Sequence, residues 1–168
     1  MLHILCNEFL VFFQKLIADI KINCNFAEKY CRKQRFNFLM EKKLKYQEWL
    51  YQSDYDFETA EFMLQTKRNV YCVFMCHLCL EKVFKAVYIQ KLNLIPPKIH
   101  NLRYFINKLE LELQEDDEVF ISEIDKLSII TRYPEDLRKM IAEFSNEYTK
   151  SVLEHTKKIK EWTKEQLI

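Results

Sequence analysis

The 168-residue chain contains no glycine at all, where an average protein has about 7%. Every structure that depends on a freely adopted positive φ or on close backbone approach is therefore disfavoured. A phosphate-cradling P-loop, a Rossmann dinucleotide turn and a G-x-S-x-G nucleophile elbow are all missing. Proline is scarce too: three residues, two of them adjacent at Pro96 and Pro97, so long stretches run without a breaker and the composition reads as all-helical. No strand alternation, internal repeat or low-complexity tract competes with that reading. No uncharged apolar run is long enough to suggest a membrane span. A strong charge of either sign is lacking as well. The formal net charge is +1, made of +3 over residues 1–39 and −2 over residues 40–168, so the main body has no net basic pull and no DNA partner is expected.

What is present divides unevenly. Residues 1–39, "MLHILCNEFLVFFQKLIADIKINCNFAEKYCRKQRFNFL", lack a sustained amphipathic stripe and carry the basic excess. They read as an N-terminal extension, either an upstream segment preceding a start at Met40 or a genuine extra helix, and residues 40–168 read as one domain. The opening stretch has no basic n-region, its apolar run is broken by Glu8, and no small-residue cleavage site follows. With six cysteines and no secretory signal, the chain is expected to be cytoplasmic with reduced thiols.

Five helices are expected. Tyr46, Leu50, Phe57, Ala60 and Leu64 recur at three-to-four spacing from about 41 to 66. After the polar "TKRN", residues 69–92 are apolar almost all round, as in a helix at the centre of a bundle. "NLIPPKI" is a loop, because Pro97 pushes Pro96 out of helical geometry. His100 to Leu113 carries Leu102, Phe105, Ile106, Leu109 and Leu113 on one face. "EDDE" opens a fourth helix, where carboxylates suit the positive end of the dipole, and that helix stops before Pro134. A last long amphipathic helix runs from Leu137 past Trp162. The expected fold is an up-and-down four-helix bundle with a short additional helix.

"YCVFMCHLC", residues 71–79, sets Cys72, Cys76 and Cys79 in the C-x3-C-x2-C spacing of radical iron–sulfur enzymes. On a helix these three lie within roughly a 60° stripe. Three thiolates on a straight helix cannot converge on one cluster, and zinc sites of the finger type draw ligands from two separate segments. The thiols read as small buried hydrophobes, and neither metal nor cofactor is expected. On the same helix His77, Glu81 and Lys85 fall at i, i+4, i+8, with Lys82 beside them. Two readings stand open: an intrahelical ladder of i, i+4 pairs, or a groove wall that meets a polar ligand or partner.

A set of segments in order resembles the HEPN domain of prokaryotes: "YQEWLYQSDYDFETAEFML", "YCVFMCHLCLEKVFKAVYIQKL", "PPKIHNLRYFINKL", "ITRYPED" and "KKIKEW", together covering residues 41 to about 165. The matching positions are Trp49, Asp54, Ala60 and Leu64; Glu81, Lys82, Lys85 and Ala86; His100, Asn101 and Leu102; Arg132, Tyr133 and Pro134. The resemblance implies a bundle paired with itself as a homodimer or with a partner in a hetero-oligomer. That partner is often a minimal nucleotidyltransferase in a toxin–antitoxin-like pair, and some relatives are thought to bind nucleotides. The ribonuclease branch places a histidine four to six residues after an arginine, setting a general base near a phosphate-binding cation. Arg32, Arg35, Arg68, Arg103, Arg132 and Arg138 all lack one. The expected function is thus a binding module with no assigned catalytic residue. Its candidate nucleotide- or partner-binding residues are Glu81, Lys82, Lys85, His100, Asn101, Arg132 and Tyr133. The alternatives are an RNA-cleaving toxin using an unorthodox set such as His100 and Arg132, or a purely structural dimerisation domain. For Arg132 and Tyr133 a helix-stop reading is also open, with Arg132 capping carbonyls and Tyr133 packed.

Overall fold

The computed structural model describes residue 32 and residues 45–167; the expectations for residues 1–39 and for a start at Met40 fall outside them. Among the described residues there are six helices and no strand. α1 is helical over 45–65, followed by α2 (Asn69–Leu92), α3 (Leu102–Leu109), α4 (Glu115–Arg132), α5 (Leu137–Glu143) and α6 (Asn146–Glu165). The long helices α1, α2, α4 and α6 build the four-helix bundle; α3 and α5 are short additions.

Two differences from the sequence reading have local causes. The third helix ends at Leu109, because Glu110 takes a left-handed conformation that returns its N–H to Ile106 and Asn107. The last segment is two helices. Phe144 leaves helical geometry, and the Ser145 hydroxyl then accepts from the Tyr148 N–H at 3.1 Å, capping a fresh helix. Asp136 caps α5 in the same way, accepting from the Lys139 N–H at 3.0 Å. Side chains that satisfy the orphan N–H groups of a new first turn make such a restart favourable.

α2 occupies the centre, packed against α3, α4 and α6. It is buried on every side: Val73, Cys76, Cys79, Leu80, Val83, Phe84 and Val87 have no exposed surface. The cysteine trio belongs to this core as free thiols. Burial pushes the Cys79 thiol up to about 12, far from the thiolate a nucleophile or metal ligand needs. Among the described residues no group of three or more metal-ligating side chains is assembled.

The directions alternate. The three-residue turn 66–68 reverses α1 into α2. Asp125 of α4 lies beside His77 while Arg132, seven residues on, lies beside Phe74, so α4 runs opposite to α2. Asn69 at the start of α2 donates to the carbonyl of Phe144, just before α6, at 2.8 Å; α2 and α6 therefore start at the same end. The result is the up-and-down arrangement. No helix among the described residues is long and apolar enough to cross a membrane.

Among the described residues three, none of them glycine, adopt positive φ: Lys67 (57°), Asn93 (58°) and Glu110 (51°). Asn tolerates this conformation, whereas for Lys and Glu it costs about 1 kcal/mol. A chain without glycine still makes left-handed turns, using whatever residue stands there. Removing the central ring, Phe84→Ala, is expected to cost about 3–5 kcal/mol, and removing the α6 cap, Ser145→Ala, about 1 kcal/mol. Urea unfolding measures both, and equal losses would contradict the central placement of α2.

Candidate functional site

The candidate residues separate into two places. Glu81, Lys85 and His100 form one connected cluster. Glu81 and Lys85, one turn apart on α2, are both buried, with Lys85 Nζ 2.5 Å from Glu81 Oε1. The other carboxylate oxygen, Oε2, lies 2.8 Å from His100 Nδ1 on the loop leading into α3. Burial alone would raise the Glu81 pKa, but the hydrogen bonds from Lys85 and His100 overcome it and hold the carboxyl below its ordinary value. The Lys85 ammonium is enclosed by rings, 5.1 Å from the centroid of Trp49 in α1 and 5.8 Å from that of Phe105 in α3. Such cation–π contacts offset part of the cost of desolvating the charge. Of the three, His100 alone faces solvent, its side chain 57% exposed.

Lys82 turns away from this cluster to Asp56 of α1, its ammonium 2.7 Å from Oδ2. Burial raises the Asp56 pKa despite this ion pair. Asn101 is a helix cap: its Oδ1 accepts from the Tyr104 N–H at 2.7 Å. Arg132 and Tyr133 lie elsewhere, at the far end of α4. Arg132 lies over the ring of Phe74, 5.3 Å from its centroid, rather than capping carbonyls. Tyr133 is 78% exposed rather than packed. Phe74 and Glu81 are seven residues apart on α2, about 10 Å along the helix axis, so Arg132 is no neighbour of His100.

His77 does not join the Glu81–Lys85 ladder. Fully buried, it places Nε2 3.1 Å from Asp125 Oδ1 on α4. Asp125 in turn accepts from the Leu102 N–H through both oxygens, at 3.0 and 3.1 Å, so one carboxylate joins α2, α3 and α4. A second histidine–carboxylate link binds α6 to α4: Asp117 Oδ1 lies 2.7 Å from both His155 Nε2 and Lys158 Nζ. The His155 ring stacks on Phe120, centroids 4.1 Å apart. A third polar link joins α1 to α6, with Asp54 Oδ1 taking Lys160 at 3.0 Å and Lys164 at 2.7 Å. Sequence reasoning did not single out Asp125, Asp117, His155 or Lys160. The i, i+3 spacing of His155 and Lys158 was a visible signal; the identity of their acceptor was not.

A family model for the HEPN domain matches residues 46–167. The chain belongs to the HEPN family. This HEPN bundle is also similar in fold to the crystal structure of TT1696 from Thermus thermophilus, with a TM-score of 0.64 and 19% sequence identity, covering 73% of this chain and 98% of that one. No curated protein matches it. Within that matched range Glu81 and Lys85 meet beside the Trp49 ring, and Arg132 and Tyr133 lie apart from them.

Glu81, Asp54 and Asp117 each have a lowered carboxyl pKa: in all three burial raises it and the bonds from lysine, with histidine at Glu81 and Asp117, lower it further. A depressed carboxyl pKa contributes stability above the unfolded value of about 4.3 for Glu and 3.9 for Asp, and that stability is lost as pH falls through the folded value. Glu81→Gln leaves Lys85 buried without a counter-charge, so the expected loss at neutral pH is about 3–5 kcal/mol. The gap between variant and wild type should narrow as pH falls below the ordinary carboxylate range. Chemical denaturation at pH 7 and pH 3 checks this, and a gap independent of pH would show that the pair is not ionised as described.

Proposed function

We propose that this chain is a non-catalytic HEPN binding subunit that pairs with a minimal nucleotidyltransferase in a toxin–antitoxin-like arrangement. The observation that carries the reading is an apolar stripe with no cover among the described residues. Tyr51, Tyr55 and Phe62 are 67%, 63% and 62% exposed on α1, and at 100° per residue they fall within roughly 40° of one another. Three large aromatics aligned on the outside of a bundle mark a surface for another protein. The same stripe suits a homodimer, which is the alternative occupant. A nucleotide would instead meet the exposed Tyr133 ring and the Arg132 guanidinium at the end of α4.

The absence of catalysis rests on how the histidines are used. His77, His100 and His155 are each bonded to a carboxylate, on Asp125, Glu81 and Asp117. None of the three shares a hydrogen bond or ion pair with an arginine, so the paired base and cation of the ribonuclease branch is not assembled among the described residues. One observation favours a second reading. His100 is exposed while a buried carboxylate orients its Nδ1, the arrangement of a general base held by an acid. An RNA-cleaving activity would run through that dyad, without help from Arg132.

Co-expression with a minimal nucleotidyltransferase is expected to yield a stable complex in size-exclusion chromatography. Tyr55→Glu with Phe62→Glu should weaken the complex at least about tenfold, since buried aromatic anchors dominate such interfaces. A wild-type chain that elutes alone overturns the pairing. Purified protein that degrades total RNA, with the activity lost in His100→Ala, overturns the non-catalytic reading in favour of the second.

A further inference from the structure

One cavity of this molecule carries charge that no internal partner uses. It lies where the α1–α2 turn meets α5, has a volume of about 280 Å³, and is lined by Lys67, Arg68, Asn69, Tyr71, Leu137 and Ile141 among others. None of its lining residues is a carboxylate, and neither Lys67 nor Arg68 forms an ion pair with a described residue. This contrasts with the central helix, where Lys82 and Lys85 are both committed to carboxylates. The lining also includes apolar side chains open to solvent: Tyr71, Leu137 and Ile141 are all exposed. Asn69 lines it as well. Its Nδ2 is spent on the Phe144 carbonyl at 2.8 Å, while its Oδ1 is shielded from water and has no partner. An enclosed acceptor without a donor costs free energy unless something supplies one.

We propose that this cavity binds a small organic phosphomonoester: a phosphate held by Lys67 and Arg68, and a single ring or comparable apolar body against Tyr71, Leu137 and Ile141. A phosphomonoester is close to a dianion at neutral pH, which matches two unpaired cations, and the arginine fork pairs with phosphate oxygens bidentately. Volume sets the size. Ligand pockets run to roughly 300–1,000 Å³, so at about 280 Å³ this cavity suits one ring with its phosphate. The inference is independent of the partner reading, because the cavity is formed by this chain alone.

The test uses the full chain and phenyl phosphate as the probe, with inorganic phosphate and phenol as its separated halves. Phenyl phosphate is expected to raise the melting temperature in a saturable way, and each half at the same concentration to do so less. Lys67→Gln with Arg68→Gln, both exposed positions, should raise the Kd for phenyl phosphate by at least about tenfold without lowering the melting temperature of the free protein. Ile141→Trp should block binding from the apolar side, and Lys91→Gln, an exposed lysine away from the cavity, should change nothing. Amide NMR should place the perturbation at residues 67–71 and 137–141. No saturable shift by phenyl phosphate overturns the proposal. So does a shift that inorganic phosphate reproduces in full, and so does one that survives in the double variant.

Discussion

Burial of α2 on all sides is the constraint on which the rest of the structure depends. A helix covered by α3, α4 and α6 has no solvent to hydrate its polar groups, and an unpaired buried charge is expensive. Each ionisable side chain buried along its length must therefore find a counterpart on its own helix or on a neighbour. Glu81 takes Lys85 one turn along and His100 from the loop before α3; His77 takes Asp125 from α4; Lys82 takes Asp56 from α1. These contacts add directional constraints on rotation and register to those that close apolar packing already imposes. Asp125 shows the economy of the arrangement, because the same carboxylate that meets His77 also accepts from the first N–H of α3. A shift of α4 along its axis would break both contacts together.

Periodicity made most of the fold legible. The stripe Phe57, Ala60, Leu64 placed α1, the all-round apolarity of residues 69–92 placed α2 at the centre, and the proline pair placed the loop that follows. What periodicity could not show was the break at Phe144–Ser145. The apolar pattern Met140, Phe144, Val152 continues across it, and the cap that restarts the helix is a single serine hydroxyl of a kind found on many unbroken helices. The candidate site was legible as a set of residues and not as a place. Glu81, Lys85 and His100 do converge, but Arg132 belongs to Phe74 and Asn101 to the first turn of α3. Spacing along one helix reports a shared face; it carries no information about which neighbouring helix supplies the counter-charge.

The lack of glycine acts through the turns. Lys67, Asn93 and Glu110 each hold a positive φ, and two of the three do so against the preference of a residue with a Cβ and a long side chain. At Glu110 the strained residue ends α3 and returns its N–H to Ile106 and Asn107. At Lys67 it closes the turn between α1 and α2, and the chain leaves that turn with Lys67 and Arg68 both at the surface. A glycine at position 67 would make the same turn at lower cost and would remove one of the two cations there.

Charge committed inside a bundle is not available for recognition outside it, and this separates the polar residues of the chain into two groups. Glu81, Lys82, Lys85, His77 and Asp125 hold the helices together and offer solvent little beyond the His100 ring. Asp54 with Lys160 and Lys164, and Asp117 with His155 and Lys158, do the same between α1, α4 and α6. Among the side chains left over are Lys67, Arg68 and Tyr71 at the end of the bundle where α2 begins, while others, such as Lys91 at the far end of α2, stand elsewhere on the surface. At the end where α2 begins the chain thus presents two cations and an aromatic face not committed to the interior. Recognition by this chain is therefore expected at that end and along the outer face of α1, rather than at the buried Glu81–Lys85 pair.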